Sequence, residues 1–215
     1  MSFLGIRWFR TTKNHKDYWQ NRKIDWEKDY LSTWNHPHRY LISGLLKQFT
    51  WVSLIEVGCG AGANLMNIIK NLSGKQLGGI DINKDAIAVA EKTFKGGVFK
   101  LGSAEDILMS DNSTDVVLTD MCLIYVGPKK IKKHLREIKR ITRNRVVLCE
   151  FHSKSWWQRL KLKVETGYNM YDYEKLLTKL GFYDISVNQI PNEMWPDAKN
   201  PGIRHIVVAR VPKRG

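Results

Sequence analysis

The chain has only three cysteines, Cys59, Cys122 and Cys149, in 215 residues. That is too few for the disulfide framework of a small secreted domain. All three fall in or beside segments predicted as core strands, so they read as free buried thiols in a reducing, cytoplasmic setting. No apolar run is long enough to span a bilayer. The start, Met1–Arg10, is too short and too interrupted by Arg7 and Arg10 for a secretory leader. Carboxylates are scarce as well, 21 Asp and Glu against 35 Lys and Arg, a net charge of +14. No internal repeat or low-complexity linker divides the chain. What remains is a globular composition, 43% hydrophobic and 11% aromatic, at a length that fits one α/β domain.

The basic surplus is unevenly placed. Residues 129–145 carry nine Lys and Arg against one acid, and residues 1–50 carry nine against four. Residues 51–128 reverse the sign, with six against nine. The cationic surface, of a kind that attracts RNA, anionic lipid or acidic substrates, therefore lies outside the segment that carries the motifs below.

That segment is organised around Leu54-Ile-Glu-Val-Gly-Cys-Gly-Ala-Gly-Ala-Asn-Leu65. An apolar strand, Trp51–Val57, runs into a glycine turn. A helix follows, with Leu65, Met66, Ile68, Ile69 and Leu72 at its apolar positions. Glycines at 58, 60 and 62 let the backbone turn sharply and approach a ligand that a Cβ would obstruct. The turn also delivers that ligand to a helix N-terminus, where free amides point outward.

The spacing is acid-x-G-x-G-x-G, with Glu56 two residues ahead of Gly58, and not the G-x-G-x-x-G of dinucleotide folds. It resembles the S-adenosylmethionine loop of class I methyltransferases. Two further stretches extend the resemblance in the same order. Gly78-Gly-Ile-Asp-Ile-Asn83 looks like the family's second strand, whose terminal acid holds the ribose hydroxyls; Asp81 takes that place, followed by Ile82. Lys100-Leu-Gly-Ser-Ala-Glu-Asp-Ile107 looks like the segment that flanks adenine, with Ser103 where the family often has an acid, then Ala104 and Glu105. The resemblance covers roughly residues 51–211. It implies S-adenosylmethionine as cofactor and S-adenosylhomocysteine as product. The cofactor-binding set it implies is Glu56, Gly58, Cys59, Gly60, Gly62, Asp81, Ile82, Ser103, Ala104, Glu105, Asp120 and Met121, with Glu56 supporting the loop and the cofactor's amino-acid end. Read without the family, Asp81 is alternatively a helix cap or turn acid ahead of Asn83.

Strands and helices alternate through the middle of the chain. Strands are predicted at Trp51–Val57, Leu77–Ile82, Gly97–Leu101, Thr114–Met121 and Arg145–Glu150, and helices at Gly62–Leu72, Asp85–Phe94 and from Pro128 to about Thr142. A helix from Asp172 to Leu180 and two strands, Tyr183–Ile190 and His205–Val211, end the chain. The expected fold is a doubly wound, mostly parallel seven-stranded α/β sheet with a C-terminal antiparallel hairpin and helices on both faces. Residues 1–50 are expected to form a helical arm or lid of the same domain, and 51–215 the class I methyltransferase domain. Within that lid, residues 14–32 read as one polar helix with Tyr18, Trp19, Trp26 and Tyr30 on a face. Pro37 is expected to precede a helix over Arg39–Gln48, and residues 152–172 read as a basic, loop-rich insert.

In open parallel sheets ligands lie beyond the carboxyl ends of the strands. That rule singles out Asp120, Met121, Cys122 and Tyr125 after the fourth strand and Glu150, Phe151 and His152 after the fifth. Asp120, Tyr125, Glu150 and His152 are the candidates for orienting or deprotonating an acceptor. Trp34, His36 and His38, with Tyr125 and His152, are the candidates for contacting it. No sequence-close carboxylate or cysteine completes a metal site around the two histidines, so no metal is expected. Methyl transfer from a sulfonium is an in-line displacement that needs alignment more than a catalytic dyad. The segment Thr119–Cys122 is not the N-P-P-[YF] type of nucleic-acid amino methylases, and no appended nucleic-acid-binding module is visible. The basic residues of 129–142 lie off its apolar stripe, as on any solvated helix face. The expected partner is a small-molecule acceptor. An RNA methyltransferase, a cofactor-binding protein without transfer activity, and a lipid enzyme docking through the apolar and basic residues 1–12 are the alternatives.

Overall fold

The computed structural model describes residues 15–195 and 201–213. Seven strands form one sheet: β1 (Ser53–Val57), β2 (Gln76–Asp81), β3 (Val98–Leu101), β4 (Thr114–Asp120), β5 (Thr142–Phe151), β6 (Tyr183–Gln189) and β7 (Arg204–Arg210). Their order is β3-β2-β1-β4-β5-β7-β6. The first five run parallel, and β7 is antiparallel to both β5 and β6. The expected architecture is the observed one.

Helices cover both faces. α2 (Pro37–Leu46), α3 (Ala63–Asn71) and α4 (Lys84–Thr93) lie on one side, and α5 (Ile131–Ile141) and α7 (Tyr173–Lys179) on the other. The unbroken apolar run of β4 shows why strands buried on both faces need no alternation. Val116 and Leu118 enter the core beneath α2 to α4, while Val117 enters the core beneath α5 and α7.

The ends of several elements differ from the pattern-based reading. The helix expected over 14–32 is broken. α1 spans His15–Gln20, and the chain re-enters a π-helical turn at Trp26–Tyr30 and a 3₁₀ turn at Leu31–Asn35. Asp25 starts the second piece, its carboxylate accepting the Lys28 amide at 3.0 Å. Pro37 is the first residue of α2 and not its predecessor. It lacks the amide that a first turn leaves unpaired, and His36 before it is extended, at φ −60° and ψ 136°. Pro128 likewise does not open α5. Gly127 O accepts the Lys130 and Ile131 amides in a turn, and the helix starts at Ile131.

The expected loop over 152–172 holds a helix, α6 (Trp156–Thr166), capped by Ser155 and ended by Gly167 at φ 79°. It gave no core-facing signal because Leu162 is its only buried side chain. Residues 1–12, with the lipid-docking reading placed on them, lie outside the described residues. No helix among the described residues is long and apolar enough to cross a membrane.

Candidate active site

The strand order reverses between β1 and β4, and a cavity of about 540 Å³ opens beyond their carboxyl ends. Its floor is the glycine turn. Gly58, Gly60 and Gly62 have φ of 79°, 52° and 89°, a region that L side chains rarely enter. Space enforces the same choice. A Cβ on Gly60 would stand 2.7 Å from the Tyr30 ring, and one on Gly62 would stand 2.5 Å from Phe94.

β2 brings Asp81 alongside the turn. One carboxylate oxygen accepts the Gly60 amide at 2.9 Å and the other accepts the Asn83 amide at 2.9 Å. Burial raises its pKa, and the Asn83 and Gly60 amides oppose that rise. Asp81 lines the cavity, and a carboxylate there can accept from both hydroxyls of a diol. Asn83, and not Asp81, caps α4, taking the Asp85 and Ala86 amides at 3.0 Å each.

At the end of β4, Asp120 is the hub of a buried polar cluster. Its Oδ2 accepts from His38 Nε2 at 2.9 Å, Asn64 Nδ2 at 3.0 Å and Arg39 Nη1 at 3.3 Å. Burial alone would raise its pKa, but His38, Arg39 and Asn64 more than offset it and hold the carboxyl well below the usual range. Asn64 also donates to Glu56 Oε1 at 2.6 Å and accepts from Arg39 at 2.6 Å. For Glu56 burial outweighs the opposing Asn64 hydrogen bond and Arg39 charge and pushes its pKa up to about 8.

The roof comes from the N-terminal segment and the turn after β4. His15, Trp19, Trp26 and Tyr30 line the cavity together with Tyr125. The Tyr125 ring lies 5.3 Å from both His15 and Trp19. At the wall after β3, Ser103 Oγ accepts the Glu105 amide at 3.2 Å, and Glu105 pairs with Lys130 at 2.7 Å, which lowers the Glu105 pKa.

Of the residues singled out from sequence at the strand ends, Gly58, Gly60, Asp81, Ile82, Ser103, Ala104, Glu105, Asp120, Met121, Cys122 and Tyr125 line this cavity. Met121 does so from a left-handed backbone, φ 50°. The others are placed elsewhere. Glu56 lies beneath the floor behind Asn64, and Cys59 is buried with its sulfur against Gly79. Gly62 is closed off by Phe94 and serves as the residue before α3.

His38 reaches the cavity only through Asp120. It touches His36 Nδ1 at 2.5 Å on its far side and stacks on Trp195 with ring centres 4.0 Å apart. Trp34 lies under the Lys70 ammonium, 4.8 Å from its ring centre. Neither Trp34 nor His36 lines the cavity.

Glu150 turns inward. Its Oε1 accepts from the Thr119 hydroxyl at 2.8 Å and the Leu123 and Cys122 amides at 3.0 and 3.1 Å, so it anchors the turn that carries Tyr125. Burial pushes it up to about 8. His152 opens onto a separate groove of about 470 Å³ beside His205 and Lys154, with its Nδ1 accepting the Tyr173 amide at 3.2 Å. Burial, then His205, lowers its pKa to about 4.

Reading the sequence alone missed Arg39 and Asn64. Asn64 had a signal, a polar residue at the start of a helix whose neighbours Ala63 and Leu65 point inward. Arg39 had none beyond membership of a basic segment. Trp19, Trp26 and Tyr30 were visible as an aromatic set, but not as the lining of a site. Among the described residues, no group of three or more His, Cys, Asp or Glu is arranged to hold a metal.

The cavity volume falls within the range of small-molecule and cofactor sites, roughly 300–1,000 Å³. Gly58 and Gly60, which present no Cβ to the cavity, the Asp81 carboxylate and apolar walls fit an adenosyl group. Residues 54–145 match the family model described as a methyltransferase domain. Among curated proteins none matches the sequence. Solved structures share the fold. The PH0226 protein from Pyrococcus horikoshii OT3 is 17% identical with a TM-score of 0.65, over 88% of this chain and 94% of that one. The plantazolicin methyltransferase BpumL in complex with S-adenosylhomocysteine is 17% identical with a TM-score of 0.60, over 94% and 96%. The [4+2]-cyclase SpnF is 17% identical with a TM-score of 0.63, over 81% of each chain. Family match, sheet order and glycine floor coincide on one stretch: residues 54–145, which carry the match to a methyltransferase domain, form the part of the sheet that opens onto the cavity.

Proposed function

We propose that the protein transfers a methyl group from S-adenosylmethionine to a small-molecule acceptor held beneath the N-terminal aromatic segment. The observation that carries this reading is the roof. His15, Trp19 and Tyr125 close the cavity with rings, and apolar faces of that kind suit a compact, largely apolar acceptor. In this reading residues 15–35 act as a lid of the same domain, and the three thiols fit a cytoplasmic enzyme.

When bound, the cofactor supplies an electrophilic methyl on a good leaving group. The chain's part is binding, alignment and exclusion of water. Alignment alone is worth about 7–11 kcal/mol in favourable intramolecular models. Gly58, Gly60 and Asp81 would hold the adenosyl half, with Ser103, Ala104 and Glu105 beside the base. Asp120 and Met121 would flank the methyl-bearing end. Asp120 is poorly suited to accept a proton, because three donors already stabilise its charge. Tyr125 is the side chain we assign to orienting the acceptor.

Three cations of the basic stretch 129–142 are engaged within the protein, which reduces the charge it can offer RNA. Lys139 donates to Leu180 O, Arg140 to Glu137 and Asp111, and Lys130 to Glu105. These cations already have protein partners.

Incubation with methyl-labelled cofactor and fractionated cell extract tests the proposal. Label is expected in a small-molecule fraction. Label confined to RNA or protein overturns the acceptor class, and no label in any fraction despite cofactor binding overturns transfer itself.

A further inference from the structure

α6 turns its apolar side the wrong way for a core helix. Trp156 and Trp157 are each 64% exposed, Leu160 44% and Val164 46%, while Leu162 alone is buried, against Ile124, Phe151 and Met170. At 100° per residue the four exposed side chains fall within an arc of about 100°. The two indole rings lie 4.7 Å apart within that arc. Cations border it on both edges, Arg159 and Lys163 on one and Lys161 on the other. Arg159 also donates to the Ser153 and Lys154 carbonyls, Lys163 to Gly167 O, and Lys161 lies 3.8 Å from Glu165. Residues 154–166 hold four Lys and Arg against the single acid Glu165.

We propose that α6 docks the protein on an anionic membrane surface, with Trp156, Trp157, Leu160 and Val164 entering the headgroup boundary and the flanking cations facing acidic lipid. An apolar stripe with paired tryptophans and basic borders is the composition of an interfacial helix. Indole rings settle at the headgroup level, with an apolar body inward and a polar edge outward. The net charge of +14 draws the chain to a negative leaflet from beyond contact distance. A second copy of the chain is a poorer occupant. Two such helices face to face set Lys and Arg against Lys and Arg. One stripe of four side chains also supplies little of the roughly 800 Å² per partner that a stable dimer buries.

The helix is joined to the cavity. It ends at Gly167, and the next residue, Tyr168, rests 5.5 Å from the ring of Tyr125. Tyr168 thus links the end of α6 to the Tyr125 wall of the cavity. The inference stands on the surface of α6 alone and does not depend on which molecule is methylated.

The test is co-sedimentation of the full-length protein with vesicles of phosphatidylcholine containing phosphatidylglycerol, against phosphatidylcholine alone. Binding to the anionic vesicles is expected to be stronger by about tenfold or more and to weaken as salt rises. Trp156→Asp/Trp157→Asp is expected to abolish it by a similar factor of about tenfold or more. Thermal melting and S-adenosylhomocysteine affinity of that variant are expected to stay at the wild-type level, since both side chains face solvent. No binding to anionic vesicles, or equal binding by the double variant, overturns the proposal. A dimer seen by light scattering that the double variant dissolves also overturns it, in favour of a second copy.

Discussion

The Gly60 amide and the Asp81 carboxylate meet at 2.9 Å, which ties the glycine turn after β1 to the end of β2. Asp81 thus holds the floor of the cavity in place as well as facing into it. Replacing it removes two interactions at once: the acceptor offered to a ribose diol and the clamp on the turn. Hydrogen bonds to a charged group contribute about 1.5–3 kcal/mol each. Asp81→Ala is therefore expected to weaken S-adenosylhomocysteine binding by about 10–100-fold in calorimetry. Asp81→Asn keeps an oxygen for Gly60 and should fall between. Unchanged affinity in the alanine variant would remove Asp81 from the site.

The same turn separates two kinds of glycine. Gly60 has φ 52° and a Cβ there would stand 2.7 Å from the Tyr30 ring; Gly74 has φ 66° with nothing within 4 Å. Both pay a left-handed backbone cost of about 1–2 kcal/mol on replacement by alanine. Only Gly60→Ala should also displace Tyr30 and distort the cavity floor. The expected outcome is a larger loss of thermal stability in Gly60→Ala than in Gly74→Ala, because the clash with Tyr30 adds to the backbone cost, and a large loss of cofactor affinity in Gly60→Ala alone. Equal affinity losses would mean that the defect is global and not local to the turn.

How much of this was legible beforehand depended on the range of the interactions involved. Gly58, Gly60, Asp81 and the Ser103–Glu105 wall follow from backbone turns at strand ends, which short motifs encode. The sheet order follows from alternating apolar segments. The Asp120 cluster was hidden because its members come from α2, α3 and β4, and Arg39 is 81 residues from its partner. Glu150 and His152 share a strand end with the expected site. Yet β5 runs on through Phe151, with Glu150 turned toward the Cys122 and Leu123 amides and His152 into the other groove. A strand end fixes position along the sheet, not the face on which a side chain emerges. α6 escaped detection for the opposite reason: its apolar residues seek no core.

Glu150 makes a pH prediction whose sign can be worked out. Burial raises its folded pKa from the ordinary 4.5 to about 8. The neutral carboxyl is favoured in the folded state, so its contribution is complete below about pH 4.5 and is lost as pH climbs through 8. Glu150→Gln keeps an oxygen for the Thr119 hydroxyl and the Cys122 and Leu123 amides and removes the ionisation. At pH 8.5 the variant is expected to be more stable by about 4–5 kcal/mol, or roughly 8–20 °C in melting temperature. Near pH 5 the two proteins should converge. Glu56 titrates in the same direction in both, so the difference between them isolates Glu150. A variant that is less stable at every pH would show that the charge itself holds the turn.

His152 separates proximity in sequence from participation in the site. Its Nδ1 takes the Tyr173 amide, and its ring borders the His205 groove and not the cavity beyond β1 and β4. His152→Ala leaves that buried amide without a partner, which costs about 1–3 kcal/mol at neutral pH. Burial, then His205, lowers the folded pKa from 6.5 to about 4. The neutral ring therefore stabilises the fold above pH 6.5, and that contribution disappears as pH falls toward 4. Denaturant titrations of wild type and variant should accordingly differ most at pH 7.5 and approach one another near pH 4. The folded variant's affinity for S-adenosylhomocysteine should stay within about twofold of wild type, a change of less than 0.5 kcal/mol. A folded variant that loses cofactor binding, or methyl transfer to an identified acceptor, would mean that the His152 groove and the cavity act as one site.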